Sequence, residues 1–337
     1  MVMIGMIFSI MLFFTIVHLE QARIRQEFLG DAATSALVLS TTAKQYEHDV
    51  EVIHAFFTAS NKDVSRGEFS AFVRLHMKRA VSTPGVQALM WAPVVSDEHR
   101  AAFEQSMARE GFARFQILER NAQGVLVPAS KRREYVVASY NEPFETTSGG
   151  VGFDLTSEPT RRAALEQARD SGEATATAPT RLVVGDEPGF LIFWPIYQRG
   201  GAINTVATRR TSITGYVIGM FRFRDLVETA VQVSDLRDLN IYLFDEGLAE
   251  DAPPFYIHSA FSLNGPLDPN DVTLTQLLKQ NPYSSRISMA GRNWRLIIIP
   301  SASYEASRLD SIPWIALLIG MISTFAIAYA MAHQQHA

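Results

Sequence analysis

Basic residues at positions 131–133 lie directly before the extended segment EYVVASY, residues 134–140. Side chains two positions apart in a strand share a face, so Arg133, Tyr135 and Val137 would point the same way. An arginine at the base of a pocket can hold a carboxylate or phosphate through two parallel N–H bonds. We therefore predict that Arg133 anchors an anionic ligand, and the alternative is an exposed arginine in a basic surface run.

Two further segments with strand character, TAPTRLV (residues 177–183) and GFLIFWPIY (residues 189–197), also offer two faces each. The first presents Ala178, Thr180 and Leu182 on one face, or Thr177 and Arg181 on the other. The second sets Ile192 and Trp194 against Phe193. Each apolar member could equally be part of an ordinary sheet core.

The stretch GFDLTSEPTRRAAL, residues 152–165, indicates a corner between a strand and a short helix that Gly172 ends. Ser157 is predicted to cap the helix, Glu158 to favour its dipole, and Pro159 to occupy its first turn. For Asp154, Arg161 and Arg162 we favour roles as a cap or as helix-surface charges over roles in a pocket.

Motifs for catalysis or metal binding do not emerge from the sequence. The histidines are scattered without ligand spacing, cysteine is absent, and no phosphate loop, dinucleotide loop or GxSxG elbow is present. Adjacent carboxylates such as Asp245 and Glu246 fall in predicted turns. We therefore expect no catalytic residues, no metal and no cofactor in this chain.

Composition bounds the remaining classes. The chain has 337 residues, is 47% hydrophobic and 19% charged, and carries a formal net charge of -5. This is a folded chain of about two domains. Without a concentrated basic surface, nucleic acid is excluded as a partner.

Both ends carry apolar segments long enough to span a membrane. Residues 1–19 have no acidic side chain and only His18 as a basic one, and this length of helix reaches roughly 28 Å. Residues 312–331 repeat the pattern, with Pro313 at the entry and Trp314 and Tyr329 near the interfaces. We predict an uncleaved anchor at the first segment instead of a signal peptide, because no basic residue precedes it and no cleavage site follows directly.

A helical stalk is predicted after the first span, over residues 20–80. Tyr46, Val50, Ile53 and Phe57 recur at spacings of four, three and four, and residues 61–67 interrupt the pattern. The stalk is either an amphipathic helix packed on its own domain or a dimerisation helix that makes the protein a homodimer.

An α+β fold with two antiparallel-sheet domains is predicted for the rest. Strands alternate with short helices, which assigns residues 81–200 to a first domain and residues 201–305 to a second. The segment FARFQIL (residues 112–118) is predicted as a strand of the first domain. The segment TGYVIGMFRF (residues 214–223) is predicted to open the second.

These segments resemble the CHASE family, the extracytoplasmic sensory domains of cytokinin-receptor-like histidine kinases and bacterial cyclases. The matching stretches are PGVQALMWAPVV, HRAAFE, GFARFQILE, EYVVASYNEP, GFDLTSEPTRRAALEQARDSG, TAPTRLV and GFLIFWPIY, in order over residues 84–197, followed by GYVIGMFRFRDLV. The resemblance implies a long stalk helix, a membrane-distal PAS-like domain that binds the ligand, and a membrane-proximal PAS-like domain. It also implies two membrane passes, with residues 20–311 periplasmic or extracellular and both termini in the cytoplasm.

The resemblance also makes the corner helix and its neighbouring strands the wall of a ligand pocket. The residues predicted to bind the ligand are Arg133, Tyr135, Val137, Thr177, Thr180, Leu182, Ile192 and Trp194. Cytokinin-binding members place an aspartate about two positions before the tyrosine of the EYVV-like strand, where this chain has Arg133. The ligand is therefore expected to be an adenine-type cytokinin or a small anionic metabolite.

The expected function is that of a sensor module in the bacterial inner membrane, which binds a small molecule outside and transmits the signal inward. A histidine kinase or diguanylate cyclase output would lie beyond residue 337. The alternative is a freestanding membrane-anchored binding protein without an output of its own.

Overall fold

One helix runs through the whole architecture of the computed structural model, which describes residues 2–79, 85–234, 238–249, 251–260, 269 and 272–334. This helix, α1 (Val2–Ala59), contains 58 residues. Its first part is apolar enough to cross a membrane, as is the C-terminal helix α10 (Ile312–Gln334). The predicted first span and most of the predicted stalk are thus one continuous helix.

The other helices are short. They are α2 (Arg66–Arg79), α3 (Arg100–Arg109), α4 (Phe144–Thr147), α5 (Pro159–Ser171), α6 (Val206–Ser212), α7 (Phe223–Ser234), α8 (Leu274–Leu278) and α9 (Ala302–Ala306).

Thirteen strands complete the described structure. They are β1 (Val86–Ser96), β2 (Leu118–Arg120), β3 (Leu126–Pro128), β4 (Glu134–Val136), β5 (Tyr140–Glu142), β6 (Thr175–Ala176), β7 (Thr180–Arg181), β8 (Pro188–Tyr197), β9 (Ile213–Arg222), β10 (Leu239–Asp245), β11 (Tyr256–His258), β12 (Tyr283–Met289) and β13 (Arg292–Pro300).

The first sheet has seven strands in the order β4-β1-β9-β8-β6, with β5 also on β1 and β7 also on β8. All of its pairings are antiparallel. Strand β9 lies at the centre between β1 and β8, so residues 213–222 belong to the first sheet. The sequence pattern had suggested that this segment opens the second domain. A central strand is buried on both faces, which explains its nearly continuous apolar sequence.

The second sheet has four strands in the order β11-β10-β13-β12 and begins at Leu239. The change from one sheet to the other therefore falls after Arg222, beyond the predicted boundary at residue 200. Helix α7 makes the connection, and its Phe223, Leu226 and Val227 are buried in the core that α1 shares with both sheets.

Helix α1 supplies the common core. Its buried side chains follow one stripe, which includes Phe28, Leu39, Tyr46, Val50, Ile53 and Phe57. The predicted stripe from Tyr46 to Phe57 is thereby confirmed. Tyr46 stacks on Phe221 of the first sheet at a centroid distance of 4.4 Å, whereas Phe28 meets Tyr304, after the second sheet, at 6.0 Å. The first sheet therefore lies farther from the apolar end of α1.

The two apolar helices pack closely through small residues. An added Cβ at Gly5 would lie 2.6 Å from Thr324, and one at Gly320 would lie 2.5 Å from Ser9 Oγ. Small residues let helix backbones approach in this way inside a bilayer.

The predicted α+β class is confirmed, with a long N-terminal helix, antiparallel-sheet domains and apolar helices at both ends. The predicted strand over residues 112–118 is wrong, since the described strand there is β2, which starts at Leu118. Residues 113–114 form a turn, and Arg114 has a positive φ of 59° that interrupts extended backbone. Pro84, where the stretch that resembles the family begins, lies outside the described residues.

Replacement of Gly219 tests the packing of α1 on the first sheet. A Cβ at Gly219 would lie 2.5 Å from both Val50 Cγ2 and Phe221 Cζ. We expect Gly219→Ala to destabilise the fold by about 1–3 kcal/mol through overpacking. The control is Gly30→Ala in α1, where no atom lies within 4 Å of the new methyl group. That variant should gain up to about 1 kcal/mol, so equal unfolding temperatures would contradict the packing.

Candidate functional site

Helix α5 covers the face of the first sheet opposite α1. Its N-cap is Glu158, without a side-chain cap bond, and Pro159 occupies the first turn as predicted. Gly172 ends the helix in the left-handed conformation with φ 83°. The predicted cap by Ser157 is wrong, because its hydroxyl donates to the Asp154 carbonyl at 2.6 Å. Ser157 is the last residue of a 3-10 turn over Leu155–Ser157, and Glu158 lies between it and the helix.

Asp154 organises this corner. Its Oδ1 accepts bonds from the backbone N–H groups of Val136 and Thr156, both at 3.0 Å, and Arg132 pairs with its Oδ2 at 2.6 Å. Burial raises the pKa of Asp154, while these hydrogen bonds and the Arg132 charge act against that rise. Asp154 therefore joins strand β4 to the turn before α5.

A small cavity lies between the first sheet and α5. Its walls are Met90, Ala138, Asn141, Thr147, Gly150, Phe153, Leu155, Arg161, Val183, Val184, Leu191 and Met220. The volume is about 20 Å³, which is room for about one water molecule. The walls are mostly apolar, and we call this space the α5 cavity.

Arg161 is the charged residue in these walls. It is 1% exposed, and its guanidinium carbon lies 5.4 Å from the centre of the Phe153 ring. Its Nη1 pairs with Glu158 and its Nη2 donates to the Arg181 carbonyl at 2.8 Å. Burial lowers the pKa of the Arg161 guanidinium, although an arginine in a protein keeps its proton. Of the three guanidinium nitrogens, Nε has no hydrogen-bond partner.

Asn141 supplies the second polar atom of the cavity. It is 4% exposed, and its Nδ2 donates to the Thr147 carbonyl at 3.2 Å, which leaves Oδ1 without a donor. Within the described residues, the buried side-chain atoms without partners are Asn141 Oδ1, Arg161 Nε, His258 Nε2 and Trp294 Nε1. Only the first two belong to residues that line a common cavity. Unpartnered buried polar atoms are rare and costly, so a pair in one cavity indicates a place for a bound water or for a small ligand.

Two loops close the cavity. Thr147 and Gly150 come from the segment after β5, and Val183 and Val184 come from the turn between β7 and β8. Arg120 Nη2 holds the second loop through the carbonyls of Leu182 and Val183, both at 3.3 Å. A ligand larger than water can enter only if these loops separate.

The structure does not bring the predicted site residues to this cavity. Arg133 is exposed, whereas the neighbouring Arg132 is partly buried and pairs with Glu119 and Asp154. Tyr135 and Val137 are buried in a separate small core with Val95, Ile117 and Ala129. Strand β4 turns its other face, with Val136, towards the α5 side.

The remaining predicted residues are divided between the two faces. Ile192 belongs to the core around α1, and Trp194 stacks on His54 of α1 at 4.7 Å. Thr177 is buried and its hydroxyl accepts from the Leu191 N–H at 3.1 Å, while Thr180 is half-buried. Leu182 joins the core of the α5 side, next to the cavity-lining Val183. Their roles in ligand binding stay predictions.

For Arg161 the favoured role of a helix-surface charge is wrong, because its side chain is buried, and Asn141 was not among the predicted residues. A signal for Arg161 was present, because it begins the buried stripe of α5 that continues through Ala164, Leu165 and Ala168. An arginine at the first position of an apolar stripe points into the core side of its helix. For Asn141 the sequence pattern gave no comparable signal.

The chain contains a larger hollow as well. A groove of about 960 Å³ runs beside α1, past His54, Phe57, Trp91 and Tyr197. It is open along its length and contains none of the unpartnered atoms. Among the described residues, no group of three or more His, Asp or Glu side chains could hold a metal ion.

Comparison with protein families gives a match over the end of the stalk, the first sheet and the start of the second sheet. The model of the CHASE domain matches residues 62–256, more than half of the chain. The matched range contains the first sheet, α5 and every residue that lines the α5 cavity.

Two similar proteins are histidine kinases. The hybrid signal transduction histidine kinase A of Dictyostelium discoideum is 23% identical over 288 residues, 80% of this chain. Histidine kinase 3 of Arabidopsis thaliana is 30% identical over 108 residues, 32% of this chain. The alignments span 13% and 10% of the lengths of these relatives.

Solved structures with similar backbones come from receptors. An extracellular ligand-binding receptor from Desulfohalobium retbaense has a TM-score of 0.47 at 10% identity, covering 81% of this chain and 40% of that one. The ligand-binding domain of the Pseudomonas aeruginosa amino acid chemoreceptor PctC, in complex with GABA, has a TM-score of 0.40 at 11% identity. It covers 79% of this chain and 95% of that one.

Neighbouring arginines provide a test of the corner. Asp154 is 0% exposed and depends on Arg132 for its counter-charge, whereas Arg133 is exposed. We expect Arg132→Met to destabilise the protein by about 3–5 kcal/mol, because it leaves a buried carboxylate unpaired. Arg133→Met should change stability by less than about 0.5 kcal/mol. Denaturant unfolding measures both, and an equal loss in the two variants would contradict the assignment.

Proposed function

The chain belongs to the CHASE domain family, and from that premise we propose that it is the ligand-sensing part of a membrane signalling receptor. A small molecule binds on the outer side of the membrane in the α5 cavity of the first sheet domain. The signal is read inside the cell by a histidine kinase or diguanylate cyclase module. The names of the two similar proteins support the histidine kinase output.

The single observation that carries the proposal is the pair of unpartnered atoms, Arg161 Nε and Asn141 Oδ1, on two residues that line one cavity. A water molecule can occupy this space, and a ligand that displaces it must supply the same hydrogen bonds, since each atom costs about 1–3 kcal/mol when left without one. Apolar walls with a few convergent polar groups are typical of small-molecule sites. The rest of the first sheet domain has the ordinary burial of a core.

The proposed setting is the inner membrane of a bacterium, crossed by residues 2–19 of α1 and by α10. Both helices have the length and apolarity for a span, and their close packing at Gly5 and Gly320 suits a bilayer. Residues 20–311 would then lie on the outer side. Dimerisation through the stalk stays a prediction.

A contact between the domains supports a route for the signal. Strand β6 follows α5 directly, and its Ala176 N–H donates to the carbonyl of Ala290, in the turn between β12 and β13 of the second sheet, at 2.9 Å. The Ala290 N–H in turn donates to Glu47 Oε2 of α1 at 3.3 Å. The turn at Ala290 therefore contacts both strand β6, which follows α5, and helix α1.

Two adjacent glycines allow the site to be tested by filling it. A Cβ at Gly150 would lie 3.4 Å from Val184 Cγ2 and 3.7 Å from Asn141 Nδ2, whereas one at Gly149 meets no atom within 4 Å. Neither glycine has a positive φ, so both accept a side chain. Gly150→Val should fill the cavity and abolish ligand binding, and Gly149→Val should bind normally.

The measurement is a thermal-shift panel on the full chain in detergent. The panel contains adenine-type cytokinins, small carboxylates, amino acids and organic phosphates. A ligand at a hundred times its Kd should stabilise the protein by about 2.7 kcal/mol. Loss of that shift in Gly150→Val alone supports the site. A shift of equal size in both variants would place the ligand elsewhere and overturn the proposal.

The inter-domain contact gives a second prediction. Glu47→Ala removes the acceptor of the Ala290 N–H, so ligand should no longer protect residues 283–300 from hydrogen exchange, while its Kd stays within about twofold. The control is Glu51→Ala, four residues along α1, where the carboxylate pairs with His48 at the surface. Hydrogen exchange with and without ligand measures the coupling. Protection that persists in Glu47→Ala would contradict this route.

A further inference from the structure

We propose that the α5 cavity selects a small carboxylic acid that carries an amino or hydroxyl group on the carbon next to the carboxylate. This inference rests on the proposed function, because it names the ligand class of the same site. It follows from the chemistry of the two unpartnered atoms and from the arrangement of charge around them.

Arg161 requires an acceptor. Its Nη1 and Nη2 bond Glu158 and the Arg181 carbonyl, and Nε is the nitrogen that has no partner and can donate to a ligand. A hydrogen bond from a guanidinium to a carboxylate is roughly twice as strong as a bond between neutral groups. The exclusion of water by Phe153, Leu155 and Leu191 increases that preference.

Asn141 requires a donor. Its Nδ2 faces the Thr147 carbonyl, and this bond fixes which end of the amide is the free acceptor. A ligand must therefore place an N–H or O–H group against Oδ1 while it places an acceptor against Arg161 Nε. Because both residues line a cavity of about 20 Å³, a ligand whose donor and acceptor groups are attached to neighbouring carbons fits best.

The position of the charges favours an anion over a neutral adenine edge, which also offers neighbouring acceptor and donor atoms. The side chains of Arg161 and Arg120 are 1% and 21% exposed, whereas those of their partners Glu158 and Asp186 are 23% and 62% exposed. The positive ends thus lie inward and the negative ends lie towards solvent. The nearby buried carboxylate of Asp154 is matched by Arg132 and does not line the cavity.

The available space favours a small molecule. The cavity must expand by movement of the β7–β8 loop, which contains Val183 and Val184. A bicyclic base would require a much larger opening than a short acid. The apolar contacts of Met90 and Met220 are left for an aliphatic side chain, and flexible methionines adapt to its shape.

The test is titration calorimetry on the full chain in detergent, with 2-amino and 2-hydroxy acids from glycine to leucine. The matched probes are propionate, which lacks the donor, alaninamide, which lacks the carboxylate, and adenine. We expect at least one acid of the series to bind at least tenfold more tightly than each matched probe. A Kd for adenine below those of all the acids would overturn the inference.

Substitutions at Asn141 separate the two halves of the ligand. In Asn141→Leu the preference for alanine or lactate over propionate should fall to about one, with propionate binding unchanged. In Asn141→Asp, which keeps an acceptor, the amino acid should gain over the hydroxy acid by about tenfold, because only the amine is cationic. The second variant serves if the first does not fold. An unchanged order of affinities in the folded variant would overturn the inference.

The glycine pair distinguishes this failure from that of the proposed function. If adenine binds and Gly150→Val abolishes its binding while Gly149→Val does not, the site is correct and the ligand class is wrong. If an acid of the series binds equally to both variants, the cavity is not its site, and both proposals fail. If no acid of the series binds to the unaltered protein at millimolar concentration, the inference on ligand class is overturned.

Discussion

The burial of one apolar stripe on α1 is the constraint on which the rest of the structure depends. Neither sheet has a complete core without this helix, because Leu89 and Ile192 of the first sheet and Leu243 and Leu296 of the second belong to one continuous cluster around it. Burial of a large apolar side chain contributes roughly 1.5–3 kcal/mol. The helix that enters the predicted membrane span is therefore also the element that holds the two domains in place.

With α1 on one face, the first sheet has only its other face for α5 and a ligand. That face is closed by ordinary apolar packing except at the α5 cavity, which Arg161 and Asn141 line. The guanidinium could be paired completely by a second carboxylate, and the amide by a donor from either loop. The described structure satisfies all but one atom on each side chain, and so keeps a small polar spot inside an apolar core. Such a spot costs stability in the empty protein and returns it when a complementary ligand binds.

Much of the architecture could be predicted from the sequence, because its signals are local. The stripe from Tyr46 to Phe57 and the end of α5 at Gly172 depend on periodicity and on backbone freedom at one residue. The assignment of faces could not be predicted, since alternation gives two faces without telling which partner covers each. Helix α1 covers the face with Ile192 and Trp194, and the cavity takes the face with Leu191. The placement of β9 between β1 and β8 is a long-range pairing, so the domain boundary was predicted too early.

The unbroken length of α1 makes it a lever as well as a support. If Glu47, held by the Ala290 turn, is the pivot, the arm to Ala59 measures about 18 Å and the arm to Val2 about 68 Å at 1.5 Å per residue. A sideways displacement of about 1 Å at the outer tip then becomes nearly 4 Å at the inner end. A small displacement at the outer tip would thus be magnified nearly fourfold on the other side of the membrane.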